Sequence, residues 1–105
     1  MGKTPEAKLT DKMIEKLNNI EGCYVEKLHA SVYGKPKLDV FGAIDGKMLY
    51  IEVKTPGNMP TKRQQSTIRL WNKKANVATT WVDNVDDAIN FAQSVRDGSY
   101  CPVTQ

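Results

Sequence analysis

Sulfur chemistry is sparse in this chain. Cys23 and Cys101 are the two cysteines in 105 residues; they lie far apart and neither belongs to a Cys-x-x-Cys pair. Two such residues make no disulfide framework. Both are expected to be small, partly buried thiols, and the cytoplasm is the natural compartment. No apolar run approaches the ~20 residues of a membrane helix. Met1-Gly2-Lys3-Thr4-Pro5-Glu6 has no apolar stretch behind its lysine, so no signal peptide is expected. Glu6 stands where an N-myristoylation pattern needs Ser or Thr. Repeats, linkers and low-complexity tracts are also missing, and one domain spanning 1–105 is expected.

What is present is ordinary globular composition, 40% hydrophobic and 26% charged, with an uneven charge distribution. Lys35 to Lys74 holds nine basic residues against three acids, net +6. Asp83 to Asp97 holds four acids and one arginine, net −3. A basic middle beside an acidic end suits a polyanion held on one face; the blander alternative is a solvated surface.

Local signals predict the element order α-β-β-β-α-β-α, an α/β sandwich around a small mixed sheet. Thr4 caps a first helix with Pro5 at its first position and Leu9, Met13, Ile14, Leu17 and Ile20 as its apolar stripe; Gly22 stops it. Cys23 to His29 alternates as a strand, its inward face undecided. Ala30 to Pro36 reads as a loop. Leu38 to Ile44 and Lys47 to Val53 are strands joined by Asp45-Gly46, a pair that favours the type I′ hairpin turn. Thr61-Lys62-Arg63-Gln64 fits a capping box opening a second helix, with Gln64, Ile68, Trp71 and Ala75 as its stripe. Val77 to Val82 is β-branched and strand-like. Asp83 or Asn84 caps a third helix that turns Ala88, Phe91, Ala92 and Val95 inward, and a loose tail is expected within 96–105, from Gly98 onward.

The hairpin brings chemistry together. Positions facing each other across Asp45-Gly46 sum to 91, so Asp39 faces Glu52. Their Cβ atoms are expected ~5 Å apart, and Lys54 leaves the same face two residues on. Two like charges in that relation destabilise a sheet unless something sits between them. A divalent cation such as Mg²⁺ removes the conflict, with the carbonyl of Val53 as a further oxygen. Lys54 would place a fixed positive charge where an attacking water and a phosphate meet. The alternative is a pair of solvated strand acids, but the flanking Tyr50, Ile51 and Val53 make an apolar run in which unpartnered charge is costly.

Leu38-Asp39 followed by Tyr50-Ile51-Glu52-Val53-Lys54-Thr55-Pro56 resembles the signature of the PD-(D/E)xK nuclease superfamily. Within it, the stretch from about Thr4 to Gln93 is similar to the virus-type replication–repair nuclease (VRR-NUC) domain, on Gly34 and Pro36 before Asp39, Thr61-x-x-Gln64, and Val85-Asp86-Asp87-Ala88. One departure is that Lys37 and Leu38 separate Pro36 from Asp39. The resemblance implies a restriction-endonuclease-like fold, a central mixed β-sheet flanked by helices. It implies phosphodiester hydrolysis with Mg²⁺ or Mn²⁺. Stand-alone members, phage proteins among them, imply a homodimer cutting branched DNA such as four-way (Holliday) junctions. By position, Asp39 and Glu52 would be metal ligands, Lys54 the catalytic lysine, Gln64 the active-site glutamine and Glu6 the first-helix acid. Glu6 shares a helix face with Leu9, Met13 and Leu17, although a first-turn glutamate also simply complements the helix dipole.

Lys35 and Lys37, with Tyr33, precede the site, and Lys62, Arg63 and Arg69 lie on the helix after it; phosphate contact is expected of them. His29 is expected at a strand end or in a loop, and Trp71 and Trp81 in the core or an interface. A non-catalytic nucleic-acid-binding module on the same basic face is the alternative function.

Overall fold

The structure is a computed structural model that describes residues 3–29 and 38–102. Among these residues the element order is α1 (Pro5–Asn18), β1 (Cys23–Lys27), β2 (Val40–Ile44), β3 (Lys47–Val53), α2 (Lys62–Lys73), β4 (Ala78–Val82) and α3 (Val85–Asp97). The expected α-β-β-β-α-β-α order is found. The loop expected over 30–36 lies outside the described residues.

Each boundary has a local cause. The Thr4 hydroxyl accepts from Ala7 N–H and Pro5 opens α1. Asp45 (φ 48°) and Gly46 (φ 80°) both take positive φ, as a type I′ turn requires, so β2 folds directly back on β3. Thr61 and Gln64 close a reciprocal capping box on α2. Asn84, rather than Asp83, caps α3.

The four strands form one mixed sheet in sequence order, antiparallel from β1 to β3 and parallel between β3 and β4. The parallel pair needs a crossover, and α2 provides it. α1 and α3 cover one face over Val25, Val40, Ile44, Leu49, Ile51, Val53 and Val82. On the other face, Ile68 of α2 packs on a smaller cluster of Leu38, Tyr50 and Val77. β3 lies between these layers, which is why Leu49 to Val53 is buried without alternation. Cys23 and Val25 face inward, settling the side of β1 that alternation alone left open.

Both open edges of the sheet are blocked by an asparagine. Asn18 donates to the Val25 carbonyl and accepts from its N–H. Asn72 does the same to Thr79. Both asparagines sit seven residues before the strand residue they hold, with a positive-φ residue, Gly22 or Asn76, between them. Occupied amides of this kind deny an edge strand to a stray partner.

Some expectations are corrected. Ala75 lies beyond the end of α2 and is exposed; Thr67 takes the buried place on that helix instead. Trp71 packs edge-on to Tyr50 but stays 36% exposed. Cys23 is buried whereas Cys101 is exposed. The tail is not loose where it is described. α3 runs through Asp97, and the Tyr100 ring stacks edge-on against Phe91 at 5.1 Å. Its hydroxyl lies 3.0 Å from both Asn72 Oδ1 and the Thr79 carbonyl. One aromatic ring outweighs the polar residues around it. No helix among the described residues is long and apolar enough to cross a membrane.

Candidate metal centre

The site forms at the end of the sheet where β3 and β4 run out. The β2–β3 register holds Val40 opposite Ile51, which extends to Asp39 opposite Glu52. Asp39 N–H donates to the Ile51 carbonyl at 3.1 Å, and Leu28 N–H to the Asp39 carbonyl at 2.8 Å, so Asp39 is tied into the sheet although β2 proper starts after it. The first turn of α1 brings Glu6 to the same place. Carboxylate oxygens of Glu6, Asp39 and Glu52 all lie within 4.8 Å of one another.

Each strand carboxylate is held by one oxygen. Asp39 Oδ2 accepts from the Val53 N–H at 2.9 Å. Glu52 Oε2 accepts from Gln64 Nε2 at 2.9 Å and pairs with Lys54 Nζ at 3.2 Å. A further side-chain hydrogen bond joins the two carboxyls, Asp39 to Glu52, and carboxylate oxygens gathered in this way are natural ligands for a hard divalent cation. Gln64 is fixed from the other side: its Oε1 accepts from Thr61 N–H at 2.9 Å. The capping box thereby decides which way the amide points, and the capping and site roles expected of Gln64 coexist.

Burial makes the charge costly. Glu52 is 3% exposed. Its carboxyl is pushed up to about 7, first by burial, then by the Asp39 charge; the Lys54 ammonium pulls the other way without prevailing. Burial also raises the Tyr50 hydroxyl, with Glu52 and Asp39 adding to it. Three acids beside one lysine leave an excess of negative charge. The N-termini of α1 and α2 offset part of it through their dipoles, and a cation would offset the rest.

The structure thus brings Glu6, Asp39, Glu52, Lys54 and Gln64 together. Val53, expected to offer its carbonyl oxygen, meets the site through its N–H, which donates to Asp39 Oδ2. Lys62 and Arg63 are exposed in the first turn of α2, next to Gln64. Arg69 is also exposed, more than one turn further along α2 than Gln64. Lys35, Lys37 and Tyr33 lie outside the described residues. His29 is exposed just past β1.

No family model, curated protein or solved structure matches the chain.

Proposed function

We propose that this protein is a divalent-metal-dependent nuclease that hydrolyses phosphodiester bonds in DNA, on a restriction-endonuclease-like fold. The observation that carries the reading is the convergence of three carboxylates on one point beside an ammonium group, with one of them, Glu52, buried at a cost to folding.

Asp39 and Glu52, with Glu6 and the Val53 carbonyl as further oxygen donors, would hold Mg²⁺ or Mn²⁺. Bound there, the ion would supply Lewis-acid polarisation of the phosphate and an activated water. The chain's own residues do the rest. Val53 N–H and Gln64 keep the two strand carboxylates from turning away. Lys54 holds its charge 3.2 Å from Glu52, where it neutralises a phosphate oxygen as negative charge builds in the transition state. Lys62 and Arg63 at the mouth add sequence-independent attraction for the backbone.

Three finer parts rest on the family resemblance: a preference for branched DNA such as Holliday junctions, a homodimer that places two sites on one junction, and residence in the cytoplasm. Sedimentation showing a monomer at every concentration removes the dimer. Cleavage of labelled junction, flap and linear DNA with Mg²⁺ or Mn²⁺ tests the central reading. Wild type should cut, and Asp39→Asn and Lys54→Ala should not. Cleavage surviving both substitutions overturns the site. Binding without any cleavage favours the second reading, a nucleic-acid-binding module, which the basic first turn of α2 supports.

A further inference from the structure

We infer that Trp81 is a substrate-contacting residue, a stacking platform for an unpaired nucleotide next to the scissile phosphate. The inference rests on the nuclease reading and names what that site selects. Trp81 lies on β4, the sheet's last strand, directly beside Glu52 in the parallel register. Neighbouring positions in adjacent strands are ~5 Å apart and project from the same face, so the indole leaves the sheet next to the acidic cluster.

Its surroundings distinguish it from the other rings near the sheet. Phe41, Tyr50 and Trp71 form a chain of edge-on contacts, and Phe91 and Tyr100 form another. Trp81 joins no aromatic pair and neither apolar cluster among the described residues, and it is half-buried. An indole so placed keeps part of its surface free beside the acidic cluster, in the cross-strand position next to Glu52. Aromatic faces take any base, but only one that has left its own stack. A base paired inside an intact duplex does not offer its face; one at a junction, flap or frayed end does. Trp81 therefore gives this site a reason to prefer discontinuous DNA without reading sequence.

The test compares wild type, Trp81→Phe and Trp81→Ala on a flap oligonucleotide, and on matched oligonucleotides with an abasic position on either side of the cleaved bond. Trp81→Ala should raise KM roughly tenfold or more with kcat within about threefold, and Trp81→Phe should recover most of the loss. On one of the abasic substrates wild type and Trp81→Ala should become equal, because the stacking partner is gone. A fall in kcat at constant KM, or a defect that persists on both abasic substrates, overturns the proposal. A second readout does not need cleavage. In a Trp71→Phe background, with Ca²⁺ replacing Mg²⁺, the remaining indole fluorescence should be quenched by the flap oligonucleotide and less by the matching abasic one. Equal quenching by both, or none, overturns the platform. Wild type that cleaves nothing with Mg²⁺ or Mn²⁺ while its fluorescence is still quenched defeats the nuclease reading and leaves the platform standing.

Discussion

At the hairpin end of the sheet Arg96 meets Asp45, while at the opposite end Glu6, Asp39 and Glu52 meet one another. Around the hairpin, Arg96 Nε lies 2.9 Å from Asp45 Oδ2, its terminal nitrogen donates to the Glu21 carbonyl, and Lys47 Nζ donates to the Arg96 carbonyl at 2.7 Å. Opposite charges are joined there in the open, and they fasten the end of α3 to the turn. At the other end like charges are gathered and Glu52 is buried. Folding alone selects the first arrangement and penalises the second. The acidic end is therefore the part of the molecule where charge costs the fold stability.

The largest separation between the ends should appear in activity. Lys54→Ala should lower cleavage by roughly 10²- to 10³-fold, the usual consequence of removing one preorganised charge from a transition state. Asp45→Asn should change it by less than about twofold. Initial rates on a labelled junction measure both, with melting curves showing that each variant is folded. Equal losses at the two ends would erase the distinction.

Next comes stability against pH. The Glu52 carboxyl is raised from 4.5 to about 7, so the folded state holds a proton that the unfolded chain gives up. The stabilisation from this proton is complete below pH 4.5 and is lost as pH climbs through 7, on the order of 3 kcal/mol in all. Glu52→Gln should therefore raise Tm at pH 8 and leave it nearly unchanged at pH 4. Mg²⁺ should raise the Tm of wild type more at pH 8 than at pH 5, because cation and proton compete for one carboxylate. A Glu52→Gln variant that melts lower than wild type at pH 8 would mean the charge is not a burden there.

How much of this was legible beforehand follows from the range of each interaction. Asp45-Gly46 sets the hairpin register from two residues, so the meeting of Asp39 and Glu52 could be counted off the sequence. Thr4, Thr61 and the Asp/Asn pair before Val85 likewise announced three helix starts. The contact from Gln64 to Glu52 was not local; it depends on how the whole of α2 lies on the sheet, and the sequence reading reached Gln64 only through capping and resemblance. Tyr100 was missed because it binds residues 21 and 28 positions away. The asparagine clamps repeat a spacing visible in the sequence, but nothing about an isolated Asn says that it will hold a strand.

A smaller effect is expected from Gly22→Ala at the hairpin end. Gly22 has φ +82°, and a Cβ there would collide with the Asp45 carboxylate and lie 3.3 Å from Arg96. About 1–2 kcal/mol of stability should be lost, read from urea unfolding. No loss would show that the turn relaxes freely and that the Arg96–Asp45 contact is not closely fitted.

The smallest effect should come from the ion pair itself. The side chains of Arg96 and Asp45 are 33% and 53% exposed, so water already screens their attraction. A double-mutant cycle on Arg96→Ala and Asp45→Ala should give a coupling of about 0.5 kcal/mol, falling toward zero at 1 M salt. Arg96→Ala alone should cost somewhat more, since it also strips a donor from the Glu21 carbonyl. That excess should persist in salt, because a hydrogen bond to a carbonyl is not screened as a charge pair is. A salt-resistant coupling above about 2 kcal/mol would place this pair effectively in the interior, and charge at the hairpin end would then contribute to the fold as strongly as it burdens the end that gathers the acids.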